Sequence, residues 1–228
     1  MSYPPVFRDL YSLYEIIRKA KIISVLEFGC GWSTLVIALA LKENSDLYAD
    51  YVSEKIRHPN PFKALIIDTS AKFLNIASKR IPTELLGFLE FHKSKCQMTV
   101  VRDQVAHLYS DIPPWTADFV YLDGPDCDHV DGNVNGMTVN FGDEAKPYGL
   151  PMGADLIRLE PYFWPGTKIL IDGRGANSYF LKHNFNRNWI YSYDDRQDQH
   201  HFELVEEPWG GAISRRLCEF KSNSSSPC

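Results

Sequence analysis

The stretch "SVLEFGCGWSTLVIALALK", Ser24 to Lys42, sets an acid and two glycines between two apolar runs. The run before the glycines, Ile22 to Phe28, is short and uninterrupted, the pattern of a strand buried on both faces. The run after them, Thr34 to Lys42, reads as a helix. A glycine turn between strand and helix lets the backbone approach a ligand closely. The helix start near Ser33 offers free N–H groups and the positive end of its dipole, which suits a carboxylate or a phosphate. Ser33 and Thr34 add hydroxyl donors. A lone G-x-G also occurs where a turn only packs a helix onto a sheet.

The same punctuation recurs along the chain. Ala64 to Ile67 is a second buried strand closed by Asp68, and Thr69 or Ser70 can cap the helix that runs to about Arg80. Phe88 to His92 is a third strand candidate. Asp118 to Leu122 is closed by Asp123, and Thr167 to Ile171 by Asp172. Helices are predicted over Val6 to Lys19, with Leu10, Leu13, Tyr14 and Ile17 on one face, and over Ala154 to Tyr162 and Ala176 to Asn184. Trp189 to Tyr193 and His201 to Val205 alternate around the polar turn DDRQDQ, which predicts an antiparallel hairpin.

Residues 43–62 are polar, carry Pro59 and Pro61, and read as an insertion with room for a short helix. Residues 124–152 are rich in Gly, Asn, Asp and Pro, and a loop of that length is expected to be functional or mobile, a lid over the site. The organisation expected is an N-terminal helix over 1–20, one domain over 21–208 and a tail over 209–228. The end of that tail, SNSSSPC, is expected to be disordered.

Short buried strands alternating with helices imply a doubly wound, mostly parallel α/β sheet with helices on both faces. In such sheets ligands bind at the carboxyl ends of the strands. Four of those ends carry Glu27 with Gly29 and Gly31, then Asp68, Asp123 and Asp172.

The composition narrows the function classes. At 228 residues the chain can bury the core of one α/β domain. A net charge of -5 without a long basic run makes nucleic acid a poor partner and favours a small polar or neutral one. No apolar run reaches the ~18 residues of a membrane span. The start MSYPPVFRDLY lacks a basic-then-apolar secretory pattern. The five cysteines, Cys30, Cys96, Cys127, Cys218 and Cys228, are odd in number, widely spaced and form no CxxC. They read as reduced thiols of a cytoplasmic protein, and zinc would need closer Cys/His pairs.

Asp68 stands where doubly wound folds place a carboxylate for ribose hydroxyls; a helix N-cap is the other use of an Asp at that place. Together with the glycine turn it points to a nucleoside-containing cofactor with an anionic end. Here the chain resembles a family. "VLEFGCGWST" resembles the first motif of class I S-adenosylmethionine-dependent methyltransferases, in the variety E-x-G-x-G-x-S-T. "ALIIDTS", "ADFVYLDGPD" and "WPGTKILIDGR" resemble the second motif, the strand-four motif and the Pro-Gly turn with the fifth strand. The closing hairpin matches antiparallel sixth and seventh strands.

The resemblance runs from about residue 20 to 206 and implies a seven-stranded, Rossmann-like methyltransferase fold that binds S-adenosylmethionine. It sets Glu27, Gly29 and Gly31 against the methionine part of the cofactor. It gives Ser33, Thr34 and the helix start to the carboxylate, Asp68 to the ribose, and the region Ser94 to Gln97 to the adenine. The spacing from Glu27 to Asp68 is about twice the usual one, which the 43–62 insertion would explain. Thr34 replaces the third glycine of G-x-G-x-x-G, which counts against a nicotinamide dehydrogenase.

At the reacting end, Asp123 and Asp172 close adjacent strands and should face one pocket. In catechol-type O-methyltransferases aspartates at these places help hold magnesium, which lowers the pKa of a bound hydroxyl. Gly173 stands where that family has another ligand, often Asn or Asp, so a metal-free site is favoured over a divalent metal. Asp123 can then meet the sulfonium or amino end, and Asp172 can act as base or accept hydrogen bonds from substrate hydroxyls. Alternatively both only cap turns. His129 is either a general base or a solvated loop histidine. Asp126 and Asp128 read as loop solvation. Arg174 meets an anionic acceptor or lies on the surface, Cys30 is a small residue that fits, and His200 and His201 read as surface. Trp115, Tyr121, Tyr148 and Trp164 offer flat faces to a sugar or aromatic ring. The expected activity is O-methylation of a small molecule or saccharide. N-methylation, cofactor binding without catalysis, and a nucleotide-dependent oxidoreductase are the alternatives.

Overall fold

A computed structural model describes residues 5–126, 129–138, 140–141, 148–149, 152–209 and 212–222. The chain begins with α1 (Phe7–Lys19), β1 (Ser24–Phe28), α2 (Trp32–Lys55), β2 (Lys63–Asp68) and α3 (Ala71–Arg80). Next come β3 (Leu89–Lys93), β4 (Cys96–Val101), β5 (Gln104–Tyr109) and β6 (Phe119–Leu122). Three two-residue strands follow: β7 (Val130–Asp131), β8 (Asn140–Phe141) and β9 (Tyr148–Gly149). The chain then runs through α4 (Asp155–Leu159), β10 (Lys168–Asp172), α5 (Gly175–Asn184), β11 (Trp189–Asp194), β12 (Gln199–Leu204) and α6 (Ala212–Ser222).

The main sheet has seven strands in the order β11-β12-β10-β6-β1-β2-β3. β1 pairs in parallel with β2 and β6, and β10 in parallel with β6. β12 is antiparallel to both β10 and β11, so it alone runs against the rest. The closing hairpin is therefore antiparallel, but its first strand keeps the direction of the sheet; only the seventh strand is reversed. The order switches between β1 and β6, and their carboxyl ends carry the glycine turn and Asp123. A doubly wound sheet opens its ligand crevice at that switch.

Alternation along the strands feeds two cores. Leu26, Phe28, Leu65, Ile67, Val120 and Ile171 face the side of α4 and α5. Val25, Ala64, Ile66, Phe119 and Leu170 face Leu13, Ile17, Ile37 and Leu41 of α1 and α2. Each such side chain contributes about 1.5–3 kcal/mol on full burial. Period-two alternation also puts Glu27 on the α2 side, beside Val25.

Three differences from the sequence expectations have physical causes. The helix expected to end at Lys42 continues to Lys55, so most of the supposed insertion 43–62 is the second half of α2. Asn44, within that polar stretch, is fully buried and donates to Ile17 O at 3.1 Å and Ile22 O at 2.8 Å. It ties α2 to the end of α1. The tail contains α6, whose Leu217 and Phe220 pack on Ile23, Val52 and Phe62; residues 223–228 of SNSSSPC lie outside the described residues. Finally, β4 and β5 form a hairpin that the turn signals did not mark. Its turn residues Arg102 and Asp103 take φ of 50° and 60° without any glycine. The lid expected over 124–152 lies partly outside the described residues. Of the rest, β7 pairs with β4, and β8 pairs with β9.

Candidate active site

Glu27 is 1% exposed and sits beneath the glycine turn. It accepts hydrogen bonds from Ser33 Oγ at 2.5 Å and Thr34 Oγ1 at 2.9 Å. Thr34 Oγ1 in turn accepts from the Gly31 N–H at 3.2 Å. The two hydroxyls expected to reach a ligand carboxylate are thus turned inward. Burial pushes the Glu27 carboxyl up to about 8, against the two hydroxyl donors, which lower it.

The two glycines answer different needs. Gly29 has φ of +93°, and a side chain there would stand 3.0 Å from Gly124 N. Reciprocally, a Cβ on Gly124 would come within 2.6 Å of Gly29 Cα. The β1 and β6 turns are back to back, with no room for a methyl group between them. At Gly31 a Cβ would meet nothing nearer than Ser33 Oγ at 3.9 Å. Gly31 instead leaves open a cavity of about 370 Å³, whose wall it shares with Cys30, Ser33 and Asp68.

Asp68 is buried at the end of β2. Its Oδ1 accepts from Ser70 N at 2.7 Å and its Oδ2 from Cys30 Sγ at 3.2 Å. Burial raises its carboxyl, the two donors opposing. The N-cap of α3 is Ser70, which accepts from Phe73 N at 3.2 Å, so Asp68 is not the cap of that helix. Cys30 is a donor to Asp68 rather than a mere filler.

Asp123 and Asp172 both line the cavity. Asp172 is held on both oxygens, by Tyr121 OH at 3.0 Å and Gln199 Nε2 at 3.5 Å. Asp123 has no hydrogen-bond donor on its carboxylate among the described residues; only Arg174 Nε approaches, at 3.9 Å. Its carboxyl is pushed up to about 7 by the protein crowded around it, with Arg174 opposing and Asp172 adding to the rise. Its side chain is 54% exposed, so a ligand can reach it. Arg174 is neither a surface residue nor free for an anion. It donates to Asp123 O at 2.6 Å and Pro125 O at 3.0 Å and so fixes the loop after β6.

A second cavity of about 590 Å³ adjoins the first and shares Asp9, Asp123 and Asp172 with it. Arg174, Asn177, Gln197 and Asp198 add to its polar side, and no aromatic ring among the described residues lines it. A larger cavity, about 780 Å³, lies between α1 and the strands β10 to β12 but holds none of the strand-end acids. Among the described residues, no three His, Cys, Asp or Glu side chains gather to hold a metal ion.

Other sequence candidates move. His129 stays on the α3 side of the first cavity, its ring 5.7 Å from Phe73, and does not line the second. His200 is 4% exposed rather than at the surface, with Nδ1 2.9 Å from Tyr191 OH and its ring stacked on Tyr193. Trp115 packs on the core and Trp164 against His58, so neither offers a face to the site. Tyr121 contributes its hydroxyl instead. Asp126 is in the first cavity wall. Cys127 and Asp128 lie outside the described residues, and nothing is assigned to the Tyr148 side chain. Cys30, Cys96 and Cys218 are free thiols. Val6, Asp9 and Leu10, at the start of α1, line the first cavity, a place that the sequence reading assigned to none of them. Their signal was an amphipathic helix with a first-turn acid, which is equally the signal of simple packing.

No protein-family model matches the chain, and no curated protein matches it. Among solved structures it is similar to the O-methyltransferase TomG from Streptomyces achromogenes in complex with SAM: 13% identity, 90% of this chain and 82% of that chain covered, TM-score 0.49. For the O-methyltransferase from Bacillus cereus in complex with SAH the figures are 12%, 90%, 83% and 0.47. For an RNA methyltransferase from Salinibacter ruber with S-adenosyl-L-homocysteine they are 12%, 92%, 99% and 0.43. At such identities and scores these likenesses assign no activity to the chain.

Proposed function

We propose that this chain transfers a methyl group from S-adenosylmethionine to an oxygen of a small, hydroxyl-rich acceptor, saccharides included. The observation that carries the reading is the shared wall: a cavity at the glycine turn opens onto a second cavity across Asp9, Asp123 and Asp172. The first cavity fits the cofactor. The space a Cβ on Gly31 would fill is left free, and Asp68 is pinned by two donors for a ribose. When bound, S-adenosylmethionine supplies an electrophilic methyl group on a sulfonium.

The chain's own part is to orient the acceptor and take its proton. Asp123 is the better base of the two strand-end acids, because no donor is spent on its carboxylate and its proton affinity is raised toward neutral pH. Asp172, held by Tyr121 and Gln199, is the better fixed acceptor for substrate hydroxyls. Arg174 holds the backbone on which Asp123 rides. His129, on the α3 side, serves the cofactor cavity rather than the base role. That no ring among the described residues lines the second cavity favours a polyol over a flat aromatic acceptor. Its four aspartates also suit an amine, which makes N-methylation the second reading.

The test is label transfer from S-adenosylmethionine to a panel of sugars, phenols and amines, with and without EDTA. Methylation of a sugar hydroxyl that survives EDTA supports the reading. Activity on catechols alone, lost in EDTA and restored by magnesium, would replace it with the catechol-type mechanism.

A further inference from the structure

The first cavity is electrically lopsided. Asp68, Asp123, Asp126, Asp172 and Asp9 all stand on its wall, and Arg80 is the one Lys or Arg among its described lining residues. Arg80 is the last residue of α3. Its guanidinium carbon lies 3.8 Å from the ring centroid of Trp32, the first residue of α2. No carboxylate among the described residues pairs with it. Its charge is felt at Cys30, between the two glycines, where it opposes the rise in the thiol.

A carboxylate entering this cavity meets five aspartates, of which Asp123 and Asp126 have Arg174 within 4 Å, and has few places to go. The Ser33 and Thr34 hydroxyls are spent on Glu27. What remains near the turn is the start of the 24-residue helix α2 and the Arg80 side chain. A guanidinium stacked face-on against an indole keeps the N–H groups on its edge free, and those edges match a planar carboxylate. The stack also holds the side chain in place before any ligand arrives, which lowers the ordering cost of binding.

We infer that Arg80, stacked on Trp32, is the group that holds the carboxylate of the cofactor's amino-acid end, a role that rests on the methyltransferase reading. The anionic end of the cofactor's amino acid then lies at Trp32 and Arg80. Arg80 thus decides which adenosine thioethers are admitted.

The test compares two ligands by calorimetry: S-adenosylhomocysteine and its decarboxylated analogue, S-adenosyl-3-thiopropylamine, which keeps the ammonium and loses only the carboxylate. Wild type should favour the first by roughly ten- to hundredfold, the scale of a charge-assisted hydrogen-bonded pair. Arg80→Ala should abolish that preference by weakening only the carboxylate ligand, and Arg80→Lys should keep part of it. Trp32→Leu, which leaves the arginine but removes the ring, should reduce the preference. A wild type that binds both ligands equally, or an Arg80→Lys and Arg80→Ala pair that weakens both alike, overturns the role of Arg80 while leaving the methyltransferase reading standing. A wild type that binds neither overturns both.

Discussion

At the residue scale the site turns on how each acid is partnered. Asp123 has Arg174 at 3.9 Å and no hydrogen-bond donor on its carboxylate among the described residues, and it is raised; Asp172 is held on both oxygens. Asp123→Asn should therefore lower turnover by about a hundredfold to ten-thousandfold, the range for loss of a general base. The wild-type kcat/KM should rise with pH through about 7, and that rise should vanish in the variant. Asp172→Asn should cost less, and a larger loss there than at Asp123 would exchange the two roles. Glu27 gives a stability prediction. Its folded carboxyl, near 8, lies well above the ordinary glutamate value of 4.5. Between those values the folded chain holds a proton that the unfolded chain has lost, so stability must fall as pH rises, by at most about 1.4 kcal/mol per unit. Chemical unfolding of Glu27→Gln at pH 5 to 8 should show a flatter dependence than wild type. The acids themselves were legible in the sequence, because each closes an apolar run. Their partners were not: that Ser33 and Thr34 serve Glu27, or that Tyr121 serves Asp172, depends on side-chain direction across strands, which spacing does not encode.

At the scale of elements, two close contacts hold the site. The β1 and β6 turns touch through Gly29 and Gly124, so Gly124→Ala should force them apart and weaken S-adenosylhomocysteine binding at least tenfold. Gly87→Ala, where a Cβ meets nothing within 4 Å, should change nothing and serves as the control. Helices α1 and α2 are tied through Asn44. Asn44→Ala leaves its two carbonyl acceptors without that donor and should cost about 1–3 kcal/mol, read as a Tm lower by several degrees. A normal Tm in that variant would make the tie dispensable. The four strand-end signals on the main sheet were readable because buried parallel strands are apolar throughout. The length of α2 was not, because a buried asparagine that bonds to another helix looks in sequence like a helix breaker. The β4–β5 hairpin was missed for a related reason: its alternation is present, but Arg102 and Asp103 make a left-handed turn without the glycine or asparagine that usually marks one.

For the molecule as a whole, strand order decides where function can lie. The switch between β1 and β6 sets the glycine turn beside Asp123, and Val6, Asp9 and Leu10 at the start of α1 add to the cavity wall. This gathering of α1 onto a site built by strands far along the chain could not be read from local pattern, whereas the doubly wound class could. The central claim is that the cavity at this switch takes an adenosine thioether with an amino-acid end and not a dinucleotide. Isothermal titration of the intact chain with S-adenosylhomocysteine and, separately, with NAD tests it most directly. The account predicts one S-adenosylhomocysteine per chain and no heat of binding for NAD; saturable binding of NAD with none of S-adenosylhomocysteine would contradict it.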